Sequence, residues 1–214
     1  MKKIVFFDLD GTISDSGQGI INGLTYAQEK LNLRKLSLEE KRSCIGPPFA
    51  PTLSKLWNVS FEEAEHIIDV YREYYTVTGI YENYLYPGIE DLLKFITDNG
   101  FEARICSAKP LKMVKTVLEH FKIDKYFATL TGAEMHGKYP GKGILIEQIL
   151  KETGAQAMMI GDRSDDIEGG KHNNIPSIGV LWGYGSEEEL KNAGADYLVT
   201  STDEIKEIIK KVFK

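Results

Sequence analysis

Four short apolar runs punctuate the chain: Ile4-Val5-Phe6-Phe7, Ala103-Arg104-Ile105-Cys106, Ala157-Met158-Met159-Ile160 and Ile178-Gly179-Val180-Leu181. A strand covered on both faces has no reason to alternate polar with apolar residues, so such runs predict buried strands. Weaker runs near Phe127 to Leu130 and Tyr197 to Val199 extend the series. Between them the spacing changes. Ile89, Leu92, Leu93 and Ile96 recur at the 3.6-residue period of a helix with one buried face. The stretch Leu111 to Phe121 opens after Pro110, whose fixed φ suits a helix start. Ile144 to Leu150, Glu187 to Asn192 and Glu204 to Val212 read the same way. Strands alternating with helices predict βαβ units, hence an α/β, Rossmann-like core with a parallel sheet between two helical layers.

One segment interrupts the alternation. From about Ser16 to Tyr84 the strand signal fades and helical spacing dominates, first in Ile20, Ile21, Leu24, Ala27 and Leu31, then in Phe61, Ala64, Ile67, Ile68, Tyr71 and Tyr75. The expected organisation is therefore a core of residues 1–15 and 86–214 with an all-helical subdomain, 16–85, inserted after the first strand. Hinges fall near Asp15–Gly17 and Tyr86-Pro87-Gly88. Six of the eleven tyrosines lie between Tyr71 and Tyr86, where packing of the insert against itself is the simplest role.

Composition narrows the class. A 42% hydrophobic and 27% charged chain of 214 residues is ordinary for a globular protein. A net charge of −6 argues against a broad nucleic-acid footprint, although a local cluster can still hold a small phosphate. Cys44 and Cys106 stand far apart and form neither a disulfide framework nor a zinc motif. The apolar run after Met1-Lys2-Lys3 stops at Asp8, too early for a secretion signal, and no stretch is long enough to span a bilayer. A cytoplasmic protein, monomer or homodimer, without membrane or nucleic-acid partners is expected.

Open parallel sheets bind ligands at the carboxyl ends of their strands. There this sequence places Asp8-Leu9-Asp10-Gly11-Thr12, then Ser107-Ala108-Lys109, then Gly161-Asp162-Arg163-Ser164-Asp165-Asp166. Crowded carboxylates repel unless a cation neutralises them, and an all-oxygen set suits Mg²⁺. Two other signals carry less. Gly132 to Lys138 fits the spacing of a nucleotide-binding P-loop, but Tyr139 stands where its hydroxyl ligand belongs. His66, His120, His136 and His172 lack metal-binding spacing.

These motifs resemble those of the haloacid dehalogenase superfamily. Asp8-Leu9-Asp10-Gly11-Thr12 is similar to its first motif, Ser107 to its second, and Gly161-Asp162 with Asp166 to its fourth. Its third motif is a lone lysine at a helix start, which Lys142 fits better than Lys138. The helical insert falls where that family carries its cap, and Cys44-Ile45-Gly46-Pro47-Pro48 and Leu181-Trp182-Gly183-Tyr184-Gly185 look like the phosphoglycolate phosphatase-like branch.

The resemblance implies a Mg²⁺-dependent phosphatase acting on a small phosphorylated metabolite. Asp8 would be the nucleophile and Asp10 the acid–base group. Mg²⁺ would be held by Asp8, Asp162 and the backbone carbonyl of Asp10. Ser107, Ala108, Lys142, Gly11 and Thr12 would surround the phosphate, with Asp166 orienting Lys142. A phosphomutase of the β-phosphoglucomutase type shares the same motifs, and a catalytically idle phosphate-binding module is the remaining alternative.

Overall fold

The computed structural model describes residues 2–136 and 139–214. Its strands are β1 (Lys3–Phe7), β2 (Ser14–Asp15), β3 (Tyr84–Leu85), β4 (Glu102–Pro110), β5 (Phe127–Ala133), β6 (Gln156–Gly161), β7 (Ser177–Val180) and β8 (Tyr197–Val199). Among the described residues, six of them build one parallel sheet in the order β5–β4–β1–β6–β7–β8. The chain leaves β1 towards β4 and β5 on one side, then returns to β6 on the other. Connections therefore part beside β1, the position where open α/β sheets leave a crevice for ligands.

The apolar runs are explained by cover on both faces. Val5 and Phe7 join one core cluster, with Leu92, Leu93 and Ile96 of α5 (Ile89–Asp98) and Ile205 and Ile209 of α10 (Thr202–Val212). Ile4 and Phe6 point the other way and meet Ile146 and Ile149 of α7 (Lys142–Thr153). Successive side chains of a strand alternate between faces, so a strand buried twice must be apolar throughout. Helices α6 (Leu111–His120), α8 (Ser164–His172) and α9 (Glu187–Ala193) complete the core layers. Cys44 and Cys106 are buried free thiols, and no helix among the described residues is long and apolar enough to cross a membrane.

The insert holds α1 (Gly17–Lys30), α2 (Leu38–Arg42), α3 (Phe49–Trp57) and α4 (Phe61–Tyr75), followed by a 3₁₀ turn at Gly79–Tyr81. Two of these helices start on reciprocal caps. Ser37 Oγ accepts from Glu40 N at 3.1 Å and Ser60 Oγ from Glu63 N at 3.2 Å, while each glutamate returns to its serine's backbone N–H. The hinges form a small element of their own, an antiparallel ribbon pairing Ser14 with Leu85 and Asp15 with Tyr84. The tyrosines divide their work. Tyr71 stacks on Tyr75 with centroids 5.0 Å apart inside the insert, whereas Tyr84 on the ribbon is 70% exposed.

Leu92 is fully enclosed, so Leu92→Ala removes three heavy atoms' worth of packing and leaves a cavity that the sheet cannot collapse into. Its expected cost is about 2–5 kcal/mol in urea denaturation, against less than about 0.5 kcal/mol for Val77→Ala, whose side chain is largely in water. Equal losses at the two positions would contradict this core.

Candidate active site

The carboxyl ends of β1, β4 and β6 supply the polar groups. Beyond β1 the chain turns sharply: the backbone N–H groups of Thr12, Ile13 and Ser14 all donate to Leu9 O, and Gly11 N donates to Ser14 O. That turn needs φ +87° at Gly11, in the left-handed region that only glycine adopts without strain. A Cβ there would also lie 2.2 Å from Asp162 Oδ2. The missing side chain is thus the space into which the Asp162 loop folds.

Asp8, Asp162 and Asp166 come together, with carboxylate oxygens within 4.8 Å of one another. Each is held differently. Asp162 accepts from Thr12 Oγ1 at 3.1 Å and from Tyr184 N at 2.8 Å. Asp166 accepts from Lys142 Nζ through one oxygen and from Arg163 N, at 2.9 Å, through the other. Asp8 is the exception. Its Oδ1 lies 3.2 Å from Lys142 Nζ as an ion pair, but makes no aligned hydrogen bond among the described residues.

Asp10 sits beside this group under a second lysine. Lys109 Nζ donates to both its oxygens, at 2.9 and 2.8 Å, and lies 5.0 Å from the centre of the Tyr75 ring on α4. Ser107 is buried, and its Oγ accepts from Lys109 N at 3.2 Å. Strand β4 runs on to Pro110, further than its apolar residues predict. Its pairing with β5 shifts between Cys106 and Pro110, so Ser107, Ala108 and Lys109 lie in an irregular stretch turned towards the site.

The structure brings together Asp8, Asp10, Ser107, Lys142, Asp162 and Asp166. It puts Thr12 to a different use, since its hydroxyl holds Asp162 and its amide, like that of Gly11, is spent in the turn. Lys142 stands at the carboxylates, while the alternative Lys138 and the last two residues of the P-loop-like spacing lie outside the described residues. No histidine joins the carboxylate cluster among the described residues. Sequence reading gave no role to Lys109 or Arg163. A lysine two residues after the serine is recognisable once one asks which cation balances Asp10. Arg163 offers no such signal, because its Nη1 reaches Ile45 O in the insert, 118 residues away, at 3.1 Å.

Four buried aspartates face two buried lysines, leaving two uncompensated negative charges if all are ionised. That imbalance and the unpartnered Asp8 oxygen both fit a divalent cation. The electrostatics agree. Burial, reinforced by Asp166 and Asp8, pushes the Asp162 carboxyl up to about 8, and burial also raises Asp8. Burial opposes the charge on Lys142, but Asp166 and Asp8 outweigh it and hold its pKa well above the usual lysine range.

A carboxyl whose folded pKa lies above its unfolded value stabilises the fold at low pH, and that stability is lost as pH rises through the folded pKa. For Asp162 the loss spans the interval from the ordinary value of 3.8 to about 8. A divalent cation binds the ionised form and reverses the penalty. Millimolar MgCl₂ is therefore expected to raise Tm more at about pH 8 than at about pH 5.5, as read by differential scanning fluorimetry. Equal shifts at both pH values would refute the assignment.

Comparison with known proteins identifies the family and the fold. The family model described as haloacid dehalogenase-like hydrolase matches residues 5–180. A "5'-nucleotidase" of Pseudomonas aeruginosa is 33% identical over 190 residues, covering 87% of this chain and 86% of its own. The crystal structure of "a predicted phosphatase from Clostridium acetobutylicum" superposes with a TM-score of 0.92 at 39% identity, covering 99% of each chain. A haloacid dehalogenase-like family hydrolase from Streptococcus pneumoniae gives a TM-score of 0.87 at 28% identity, covering 97% of this chain and 98% of its own. With the acidic cluster on the same parallel sheet, the chain belongs to the haloacid dehalogenase-like hydrolases.

Proposed function

We propose that the protein is a Mg²⁺-dependent phosphatase that hydrolyses small phosphate monoesters through an aspartyl phosphate on Asp8. The observation that carries this reading is the Asp8 oxygen itself: buried, beside a lysine, and without a hydrogen bond that would blunt it as a nucleophile. Relatives named for hydrolysis of nucleotides, pyrophosphate and phosphoglycolate support the reaction class without choosing among substrates.

In the first step an Asp8 oxygen attacks phosphorus, the P–O bond to the alcohol breaks, and Asp10 protonates the departing oxygen. In the second, water attacks the same phosphorus while Asp10 takes its proton. The Asp8–phosphate bond then breaks and inorganic phosphate leaves. Splitting the transfer this way divides one hard step into two. Ser107 and the Ala108 backbone N–H donate to the phosphate, and Lys142 supplies a compact positive charge beside it. Asp166 holds Lys142 in place. Mg²⁺, held by Asp8, Asp162 and the Asp10 carbonyl, would offset the repulsion between the carboxylate nucleophile and the phosphate dianion. Residues 16–85 act as a cap that excludes water from the closed site.

The two aspartates of the first motif separate experimentally. Asp8→Asn is expected to abolish turnover, since no phospho-enzyme can form. Asp10→Asn removes acid–base help typically worth 10²–10⁴-fold. With p-nitrophenyl phosphate, whose leaving group needs no proton, Asp10→Asn should accumulate an adduct of roughly 80 Da on Asp8, the mass of one phosphoryl group, visible by peptide mass spectrometry. An adduct on another residue would overturn the mechanism.

Metal removal gives a second check. EDTA should abolish hydrolysis and Mg²⁺ restore it. Ca²⁺ should inhibit, because its larger and looser shell engages both oxygens of a carboxylate. Full activity in metal-free buffer would sink the metal assignment.

A further inference from the structure

The carboxylates of the site are not held alike. Asp162 and Asp166 each take a backbone N–H, from Tyr184 and from Arg163. The Asp10 side chain accepts only from Lys109 Nζ among the described residues. Its backbone is fixed in the turn beyond β1, where it bridges to Ser14. The carboxyl plane can still rotate unless the lysine sets it. Both oxygens meet the same ammonium, at 2.9 and 2.8 Å. The lysine and aspartate side chains are 5% and 9% exposed, so little water can take the lysine's place. A carboxylate has about four lone-pair sites, so two contacts fix its plane and leave others open for a proton.

Lys109 is itself built into place. Its own N–H donates to Ser107 Oγ within the irregular end of β4. Its carbonyl passes so close to β5 that a Cβ on Gly132 would lie 2.6 Å from the oxygen. The glycine thus makes room for the departure from regular pairing that carries Lys109 to the site. At the other end of the side chain, the ammonium lies 5.0 Å from the centre of the Tyr75 ring, within cation–π reach. Tyr75 is buried on α4 of the insert and stacks on Tyr71. A lysine stem is flexible by nature. This one is fixed at its root by the strand and at its tip by a ring and a carboxylate.

We propose that Lys109 is the positioning residue of Asp10, holding both carboxylate oxygens so that the group faces first the departing oxygen and then the entering water. The inference rests on the phosphatase reading and on the acid–base role given to Asp10 there. Lys109 touches no reacting atom in this scheme and acts through Asp10 alone. Proton transfer needs donor and acceptor within hydrogen-bond reach, and a displacement of about 1 Å can cost on the order of 10²-fold. A merely structural ion pair would support the fold and leave the balance between the two chemical steps unchanged.

A double-mutant cycle tests this on the full chain with Mg²⁺ and p-nitrophenyl phosphate, comparing the unmodified protein, Lys109→Met, Asp10→Asn and the two substitutions together. Lys109→Met should lower kcat by roughly tenfold or more, part of what acid–base help is worth, with KM unchanged or lower. Because the first step needs no proton here, the variant should stall at the second and accumulate the phosphoryl adduct on Asp8. The double variant should be no slower than Asp10→Asn alone, since a residue acting only through Asp10 then has nothing to act on. Circular dichroism and the urea midpoint report folding. Should Lys109→Met unfold, Lys109→Gln, with its shorter neutral amide, carries the same cycle. Losses that multiply in the double variant, or a slow Lys109→Met without adduct, would overturn the proposal. So would a raised KM at constant kcat, which would make Lys109 a substrate contact. Full turnover by Asp10→Asn defeats the acid–base role and this inference with it. A folded, unmodified chain that leaves the ester intact defeats the phosphatase reading itself.

Discussion

Lys142 and Asp166, both withdrawn from water, pair at the carboxyl edge of the sheet, and the rest of the site is built around that contact. Removing two charges from solvent is expensive, and the loss is offset only where the remaining valences are satisfied. Asp166 meets that condition through the Arg163 backbone N–H. Lys142 meets it by turning also to Asp8. The lysine therefore divides its charge between a carboxylate that is fully engaged and one that is left open. The role proposed for Asp8 asks for such a neighbour: positive charge that favours ionisation in a buried place, and no aligned donor to hold its lone pair. The pair also ties the first residue of α7 to the first turn of α8, fixing two helices by the chemistry between them.

Carboxylates crowded in a buried cleft repel, and the surrounding contacts brace the loops that carry them. Arg163 leaves the loop that carries Asp162, engages Glu189 at 3.0 Å, and reaches Ile45 O in the insert. The chain responds at Gly46, whose φ of +98° brings the backbone so close that a Cβ would sit 2.8 Å from Arg163 Cγ. On the other flank Tyr184 donates its backbone N–H to Asp162 and its hydroxyl to Asp15 on the hinge ribbon. The inserted helices are thus attached to the acidic loop itself. Both attachments run within a residue or one hydrogen bond of Asp162.

Much of this was legible in the sequence because it is local. The runs of β1 and β6, the DxDGT spacing and the GDxxxD spacing each lie within a few residues of one another, where strand burial and turn chemistry leave few alternatives. What escaped is what depends on partners far along the chain. Helix α8 was hidden because Gly169 and Gly170 dilute its apolar pattern; they are there because Lys142 Cβ and Ser177 Cβ would stand 3.0 and 3.2 Å from added methyl groups. Lys109 was visible as a residue but not as the partner of Asp10, since 99 positions separate them. Thr12 was placed near the phosphate by its motif, whereas the contact that claims its hydroxyl, Asp162, is 150 positions away.

Strand register connects the two kinds of information. Phe7 pairs with Ile160 in the parallel ladder, and Asp8 N then donates to Ile160 O at 3.0 Å, so the first residue beyond β1 is fixed against the last residues of β6. Asp8 continues the parity of Ile4 and Phe6, whose side chains face α7, and Lys142 is the first residue of that helix. A slip of one residue would carry Ile4 and Phe6 to the opposite face along with Asp8, exchanging both layers of the core at once. Such a slip is opposed by every buried side chain of β1. The position of Asp8 is therefore set by the hydrophobic packing of its neighbours along β1, which is why the apolar runs and the acidic motifs of this chain have to be read together.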